Sequence, residues 1–221
     1  MAKMTVAQAR TLMGLVLKLY PEAQPTLNAE SPFQILVAVM LSAQTTDVAV
    51  NACTPALFRA YPTPAAMATA TPAELEPYID RLGLYHNKAK YLQALSAALV
   101  AQFGGVVPQT YAELTQLPGV GRKTATVVRT DAFGVPGIAV DTHVSRIIKG
   151  FGLVPQRATP TQIQAYLEHL MPPDTWINLH RALIRLGREW LSARRPELPP
   201  GADWQAFAGY YRPLQRRPTN E

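Results

Sequence analysis

The stretch Leu117-Pro118-Gly119-Val120-Gly121-Arg122-Lys123-Thr124-Ala125 decides how this chain is read. A short helix opening at Thr110 is halted at Pro118, whose ring lacks an N–H and cannot extend the hydrogen-bond ladder. A Gly-x-Gly turn follows, and a second helix starts near Arg122. The two glycines allow a tight turn and leave backbone N–H groups unobstructed. Together with the positive end of the next helix dipole, those amides form a site for a phosphate. Gly-x-Gly alone says little, because ordinary helix caps also use glycine. The whole string between two short helices is far more specific. Taken by itself, a lysine after such a hairpin is most often a phosphate contact.

Outward from the hairpin, the punctuation predicts an all-α chain. Ser or Thr followed three residues later by Glu or Gln occurs at Ser31–Gln34, Thr71–Glu74, Thr110–Glu113 and Thr159–Gln162, the spacing of a capping box. Pro32, Pro72 and Pro160 take the first helical position, where a missing N–H costs nothing. The run Phe33 to Leu41 is apolar almost all round and predicts a buried central helix. Lys88 to Phe103 carries Leu92, Leu95 and Leu99 on one face and ends at Gly104-Gly105, a ready C-cap. No stretch alternates with period two, so about ten to twelve helices and no significant sheet are expected. Pro196, Pro199, Pro200, Gly201 and Pro213 predict a loosely structured tail with one short helix near Trp204.

Composition bounds the partners. The net charge of +6 favours polyanions, since neutralising phosphates releases counterions. Arg181, Arg185 and Arg188 fall on one helical face, which suits a solvated face as well as a phosphate-binding one. No apolar run reaches the roughly 20 residues that span a bilayer, and Lys3 and Arg10 fit a secretory leader badly. The single cysteine, Cys53, excludes an internal disulfide and a multi-cysteine metal site, and is expected to be a small buried helix residue. A cytoplasmic, nucleoid-associated protein without membrane contact is the expectation.

The hairpin string resembles the helix–hairpin–helix of the DNA glycosylase superfamily, and most closely that of the endonuclease III family. The likeness continues through Ala132-Phe133-Gly134 and Ile138-Ala139-Val140-Asp141-Thr142-His143. Upstream it extends to Ser31-Pro32-Phe33, Leu41-Ser42-Ala43-Gln44-Thr45-Thr46-Asp47 and Gly83-Leu84-Tyr85. It implies a two-lobed all-α fold with a DNA-binding cleft between the lobes. One lobe would comprise residues 24–134 with the hairpin; the other would pair residues 1–23 with 135–221.

By the same resemblance, Lys123 is the nucleophile that attacks the deoxyribose C1′ and forms a Schiff base, and Asp141 is the essential carboxylate. The implied activity is that of a bifunctional DNA glycosylase and abasic-site lyase of base excision repair, removing oxidised pyrimidines from duplex DNA. A nucleophilic amine must be unprotonated, and a first helical turn beside Arg122 surrounds position 123 with positive potential. Asp141 has a second reading as N-cap of the helix that carries Val144, Ile147 and Ile148. Leu84 resembles the family's wedge in the base stack, or is a core leucine. Gln44 resembles the residue that fills the vacated space, or is an exposed helix-end amide. Gly119, Gly121, Arg122, Thr142 and His143 join the DNA-binding set, though a lone histidine is more often structural.

One region departs from the family. Many relatives ligate a [4Fe–4S] cluster through four C-terminal cysteines. Here the matching segment reads Gly187-Arg188-Glu189-Trp190-Leu191-Ser192-Ala193-Arg194-Arg195-Pro196, with Leu191 at the first ligand position and Leu198 near a later one. No iron–sulfur cluster is therefore expected. Apolar packing is expected to replace it, and Arg194, Arg195, Arg212, Arg216 and Arg217 stand in for the basic residues of the cluster loop. Some relatives also hold a monovalent cation on hairpin backbone carbonyls. The resemblance implies a monomer. Two rival readings remain open: a monofunctional mismatch or alkylated-base glycosylase, and a non-catalytic helix–hairpin–helix module that only grips phosphates.

Overall fold

Hydroxyl side chains start most of the helices, each accepting a bond from an N–H of the first turn that has no partner within its helix. The computed structural model describes residues 3–214. Among these the order is α1 (Val6–Leu19), α2 (Pro32–Leu41), α3 (Asp47–Ala60), α4 (Pro64–Thr69), α5 (Pro72–Ile79), α6 (Tyr85–Phe103), α7 (Tyr111–Leu114), α8 (Arg122–Phe133), α9 (Thr142–Gly150), α10 (Pro160–Leu170), α11 (Trp176–Glu189) and α12 (Ala202–Gln205). A single 3-10 turn, Pro173–Thr175, precedes α11. The extended pairing among the described residues is one isolated bridge, Leu191 with Pro196. The all-α expectation holds. No described helix is long and apolar enough to cross a membrane.

Thr71–Glu74 and Thr159–Gln162 close full capping boxes. Ser31 and Thr110 cap through their hydroxyls as expected, but Gln34 reaches back to the N–H of Glu30 instead of Ser31. Thr5–Gln8 closes a further full box at α1.

The chain divides into two compact units, Pro25–Val135 on one side and Met1–Gln24 with Pro136–Glu221 on the other. In the Pro25–Val135 unit, α2 is the central element. Phe33, Leu36, Val37, Ala38, Val39, Met40 and Leu41 are all buried, which is why no single face of it is polar. It packs on α3 and α8, while α6 lays Leu92, Leu95 and Leu99 against α4 and α5. In the other unit α11 packs on α1 and α9, with Leu12, Met13, Val16, Ile147, Leu183 and Leu186 buried among them.

The expected short helix near Trp204 forms as α12, but the tail is not loose through Arg212. Trp204, Phe207 and Tyr211 are buried in the core of their unit. The N–H of Arg212 donates to Gly150 O at 2.7 Å, and a Cβ on Gly150 would lie 2.6 Å from the Tyr211 ring. Proline and glycine break the helix here, yet the aromatic side chains between them bury enough surface to dock the segment. The expected arginine face of α11 also divides. Arg185 lies over the Tyr20 ring and bonds Glu189 at 3.0 Å, so it serves the contact with α1. Arg181 Nη1 reaches Ala23 O. Arg216 and Arg217 lie outside the described residues.

Candidate functional site

The hairpin forms as its sequence demands. After α7 the chain turns through Leu117 and Pro118, with the N–H of Val120 donating to Leu117 O at 3.1 Å. Gly119 has φ +77°, a left-handed conformation that disfavours any side chain. A second constraint acts on it: a Cβ there would sit 3.1–3.3 Å from Tyr91 Cγ, Cδ1 and Cβ. Val120 is buried and pins the turn to the core. Gly121 is the N-cap of α8, extended and without any capping side chain, and the space beside it is open. The first-turn N–H groups of α8 therefore have no side-chain acceptor at the cap, the arrangement that favours an anion at a helix N-terminus. Arg122 and Lys123, the first two residues of α8, are both exposed. The Arg122 guanidinium lies 5.3 Å from the centre of the Tyr111 ring, which holds it over α7.

The same unit carries Gln44 and Leu84, and both are unusual. They are the two non-glycine residues with positive φ among those described, 55° and 61°. Such strain costs about 1–2 kcal/mol per residue and concentrates at functional positions. Leu84 is the N-cap of α6, has no side-chain cap bond and is 58% exposed, so it is no core leucine. Gln44 is exposed in the turn after α2. The two loops abut: a Cβ on Gly83 would be 4.0 Å from Gln44 O.

Asp141, Thr142 and His143 belong to the other unit, at the start of α9. Asp141 is its N-cap, Oδ1 accepting the N–H of Val144 at 2.8 Å. The cap bond engages Oδ1. Thr142 is exposed. His143 is half-buried and packs on Gly187, where a Cβ would come within 2.8 Å of it. Burial first, then the charges of Arg146 and Arg188, depress its protonation below the ordinary histidine value, while Asp141 and a bond to the Gly187 backbone act the other way. Arg146 Nη2 lies 3.1 Å from His143 Nδ1.

Arg146 also organises the segment that departs from the family. Its Nε and Nη2 donate to Leu191 O at 3.0 and 2.8 Å, and Nη2 donates to Gly187 O at 2.9 Å. These carbonyls lie at and just beyond the C-terminal end of α11, where helix carbonyls lose their intrahelical donors. Leu191 is fully buried and Leu198 packs against the same core. The residues present do not fit a [4Fe–4S] cluster: the one cysteine of the chain, Cys53, is buried in α3, and leucine supplies no ligand. Among the described residues no group of three or more His, Cys, Asp and Glu could hold a metal ion.

Two residues of the Pro25–Val135 unit matter that sequence reading passed over. Tyr91 backs the hairpin glycine. Lys88 is 5% exposed, and its Nζ donates to Thr45 Oγ1 at 2.5 Å. A signal existed for Lys88: it precedes Leu92, Leu95 and Leu99 in the same helical phase, so a lysine stands where the apolar stripe asks for a hydrophobe.

Comparison with known proteins agrees with this geometry. A profile of the HhH-GPD superfamily base excision DNA repair proteins matches residues 37–173. Endonuclease III of Bacillus subtilis is 43% identical over 178 residues, covering 80% of this chain and 81% of that protein. A solved trapped endonuclease III–DNA covalent intermediate, in an estranged-adenine complex, superposes with TM-score 0.86 at 41% identity, covering 90% of this chain and 93% of that one. A non-covalent endonuclease III–DNA complex gives TM-score 0.88 at 39% identity, with 94% and 95% covered. Matched by that superfamily model over residues 37–173 and by a 43% identical relative over 80% of its length, this chain belongs to the endonuclease III family of the HhH-GPD superfamily.

Proposed function

We propose that the chain is a bifunctional DNA glycosylase and abasic-site lyase acting on oxidised pyrimidines in duplex DNA, with Lys123 as nucleophile and Asp141 as its partner carboxylate. The observation that carries this reading is Lys123 itself, an exposed amine in the first turn of a helix whose N-cap is glycine. A phosphate on the uncapped N–H groups would bring the sugar to that amine. The relative caught as a covalent DNA intermediate supports covalent chemistry here.

In the reaction, Lys123 Nζ forms a bond to C1′ as the C1′–N glycosidic bond breaks, and the base leaves with the electron pair and takes up a proton. Opening of the sugar ring yields a protonated Schiff base. Loss of a C2′ proton then expels the 3′ phosphate by β-elimination, and water releases Lys123. Asp141 accepts the proton that the lysine must lose and stabilises positive charge developing on the sugar. Oδ2, which the N-cap leaves unused, is the atom suited to this. Leu84 fills the stack as the base departs and Gln44 faces the opposite strand. Gly119, Gly121 and Arg122 grip the phosphate, and Thr142 and His143 contribute further DNA contacts. The carbonyls of Pro118, Gly119 and Val120 accept no backbone N–H among the described residues. They are the neutral oxygen donors a monovalent cation takes, and such an ion, when bound, would stiffen the hairpin.

The test is borohydride trapping on a duplex with one abasic site, with wild type and Lys123→Ala. A covalent adduct from wild type alone is expected. An adduct from both moves the nucleophile to another amine. Release of a damaged base with no adduct makes the enzyme monofunctional, and tight binding with neither leaves a phosphate-gripping module.

A further inference from the structure

We propose that Lys88 is a positioning residue that ties the Gln44 turn to the Leu84 turn, so that both side chains are presented to the duplex together. The inference rests on the reading of Gln44 and Leu84 given above and adds the device that holds them.

The connection can be followed atom by atom within one unit. Leu84 O accepts the N–H of Lys88 at 3.0 Å, which closes the first turn of α6. The Lys88 side chain is buried, and its Nζ donates to Thr45 Oγ1 at 2.5 Å. Thr45 is bonded to Gln44 and closes the turn through its N–H to Ser42 O at 3.1 Å. Two strained residues, each exposed, are thus joined through a single buried side chain. Without a link, each αL residue would relax independently into an ordinary region of φ and ψ.

The lysine is a poor choice for the core alone. Among the described residues no carboxylate pairs with it, and the hydroxyl of Thr45 is a neutral partner. Burial pulls its amine below the usual range, the nearby Cys53 acting the other way. A buried ammonium with one neutral partner is less favourable than an apolar chain of the same length. Methionine at position 88 would continue the stripe of Leu92, Leu95 and Leu99. What methionine cannot do is hold Thr45.

The experiment compares wild type, Lys88→Met, Thr45→Val and Leu84→Ala. One readout is single-turnover base release from a duplex carrying one thymine glycol, where the base must be extruded from a stack. The second is borohydride trapping on a single strand carrying an abasic site, where no stack opposes the sugar. Lys88→Met and Thr45→Val are expected to slow duplex release by about tenfold or more while single-strand trapping stays within about twofold. The unfolding midpoint of Lys88→Met should be no lower than that of wild type. Wild-type duplex release by Lys88→Met, with Leu84→Ala slow, overturns the anchor alone. Equal losses on both substrates with a lowered midpoint also overturn it, because that is the signature of a merely structural lysine. If Leu84→Ala releases base from the duplex as fast as wild type, the wedge reading fails and takes the anchor with it.

Discussion

Replacing Arg146 by methionine tests how this chain holds its C-terminal segment without a cluster. The substitution keeps the length and apolar stem but removes three donated bonds, of 3.0, 2.8 and 2.9 Å, to the carbonyls of Leu191 and Gly187. Bonds from a charged donor contribute about 1.5–3 kcal/mol each when buried. Arg146 is partly exposed, two of the three bonds share one acceptor, and water can replace some of the loss. A destabilisation of about 2–4 kcal/mol follows, or roughly 5–15 °C in the unfolding midpoint at this chain length. Arg146→Lys should lose about half as much, since an ammonium reaches one carbonyl where the fork reaches two. The assay is urea unfolding followed by tryptophan fluorescence. Trp176, Trp190 and Trp204 all lie in the unit that contains Arg146, so the signal reports on that unit. Amide exchange should rise first around residues 187–198. A methionine variant with an unchanged midpoint and unchanged exchange there would refute the reasoning.

Gly119→Ala must adopt φ +77° and meet the Tyr91 ring, so a loss of about 1–3 kcal/mol by circular dichroism is expected; adding Tyr91→Ala should recover the contact but not the backbone cost. Leu191→Ala removes a fully buried side chain and should cost about 2–5 kcal/mol; incubation with iron and sulfide should restore none of it. His143 has its protonation depressed in the fold, so below the unfolded value of about 6.5 the unfolded chain binds the extra proton. Stability from this group is therefore present above about pH 6.5 and lost as pH falls towards the folded value, and His143→Gln should flatten that part of the urea midpoint against pH.

Helix boundaries were legible because their chemistry is local. Thr71 and Glu74, or Thr159 and Gln162, need only each other and a free N–H to make a start signal. The hairpin was legible for the same reason: Pro118, Gly119 and Gly121 force it within a few residues. The docking of Trp204, Phe207 and Tyr211 was not, because proline and glycine nearby say where helix stops and nothing about what aromatic rings touch. Their spacing of three and four residues was the trace that could have been read. The left-handed backbone at Gln44 and Leu84 leaves no such trace, since neither residue type advertises positive φ. Asp141 illustrates a third case. Sequence offered two roles as alternatives; the structure shows the N-cap, made through Oδ1, and the catalytic role proposed above would fall to Oδ2.

The strained residues flank well-packed helices, Gln44 just after α2 and Leu84 just before α6, and the energetics explain why they can. Gln44 comes just after α2, whose seven buried side chains contribute on the order of 10 kcal/mol, an upper bound when measured from an extended chain. One left-handed residue costs about 1–2 kcal/mol, so the turn can be held in a conformation it would abandon in isolation. Leu84 stands at the opposite end of its helix, as the N-cap of α6, and is held by that helix and its buried leucines. Strain of this kind persists only where neighbouring contacts over-determine the backbone, which is the role argued for Lys88. It follows that stability and function should separate by sign across these positions. Gly119→Ala ought to harm both, since the phosphate site proposed above is built from the turn itself. Lys88→Met ought to harm only function, since it exchanges a poorly partnered charge for core and gives up the link that keeps two exposed side chains in register.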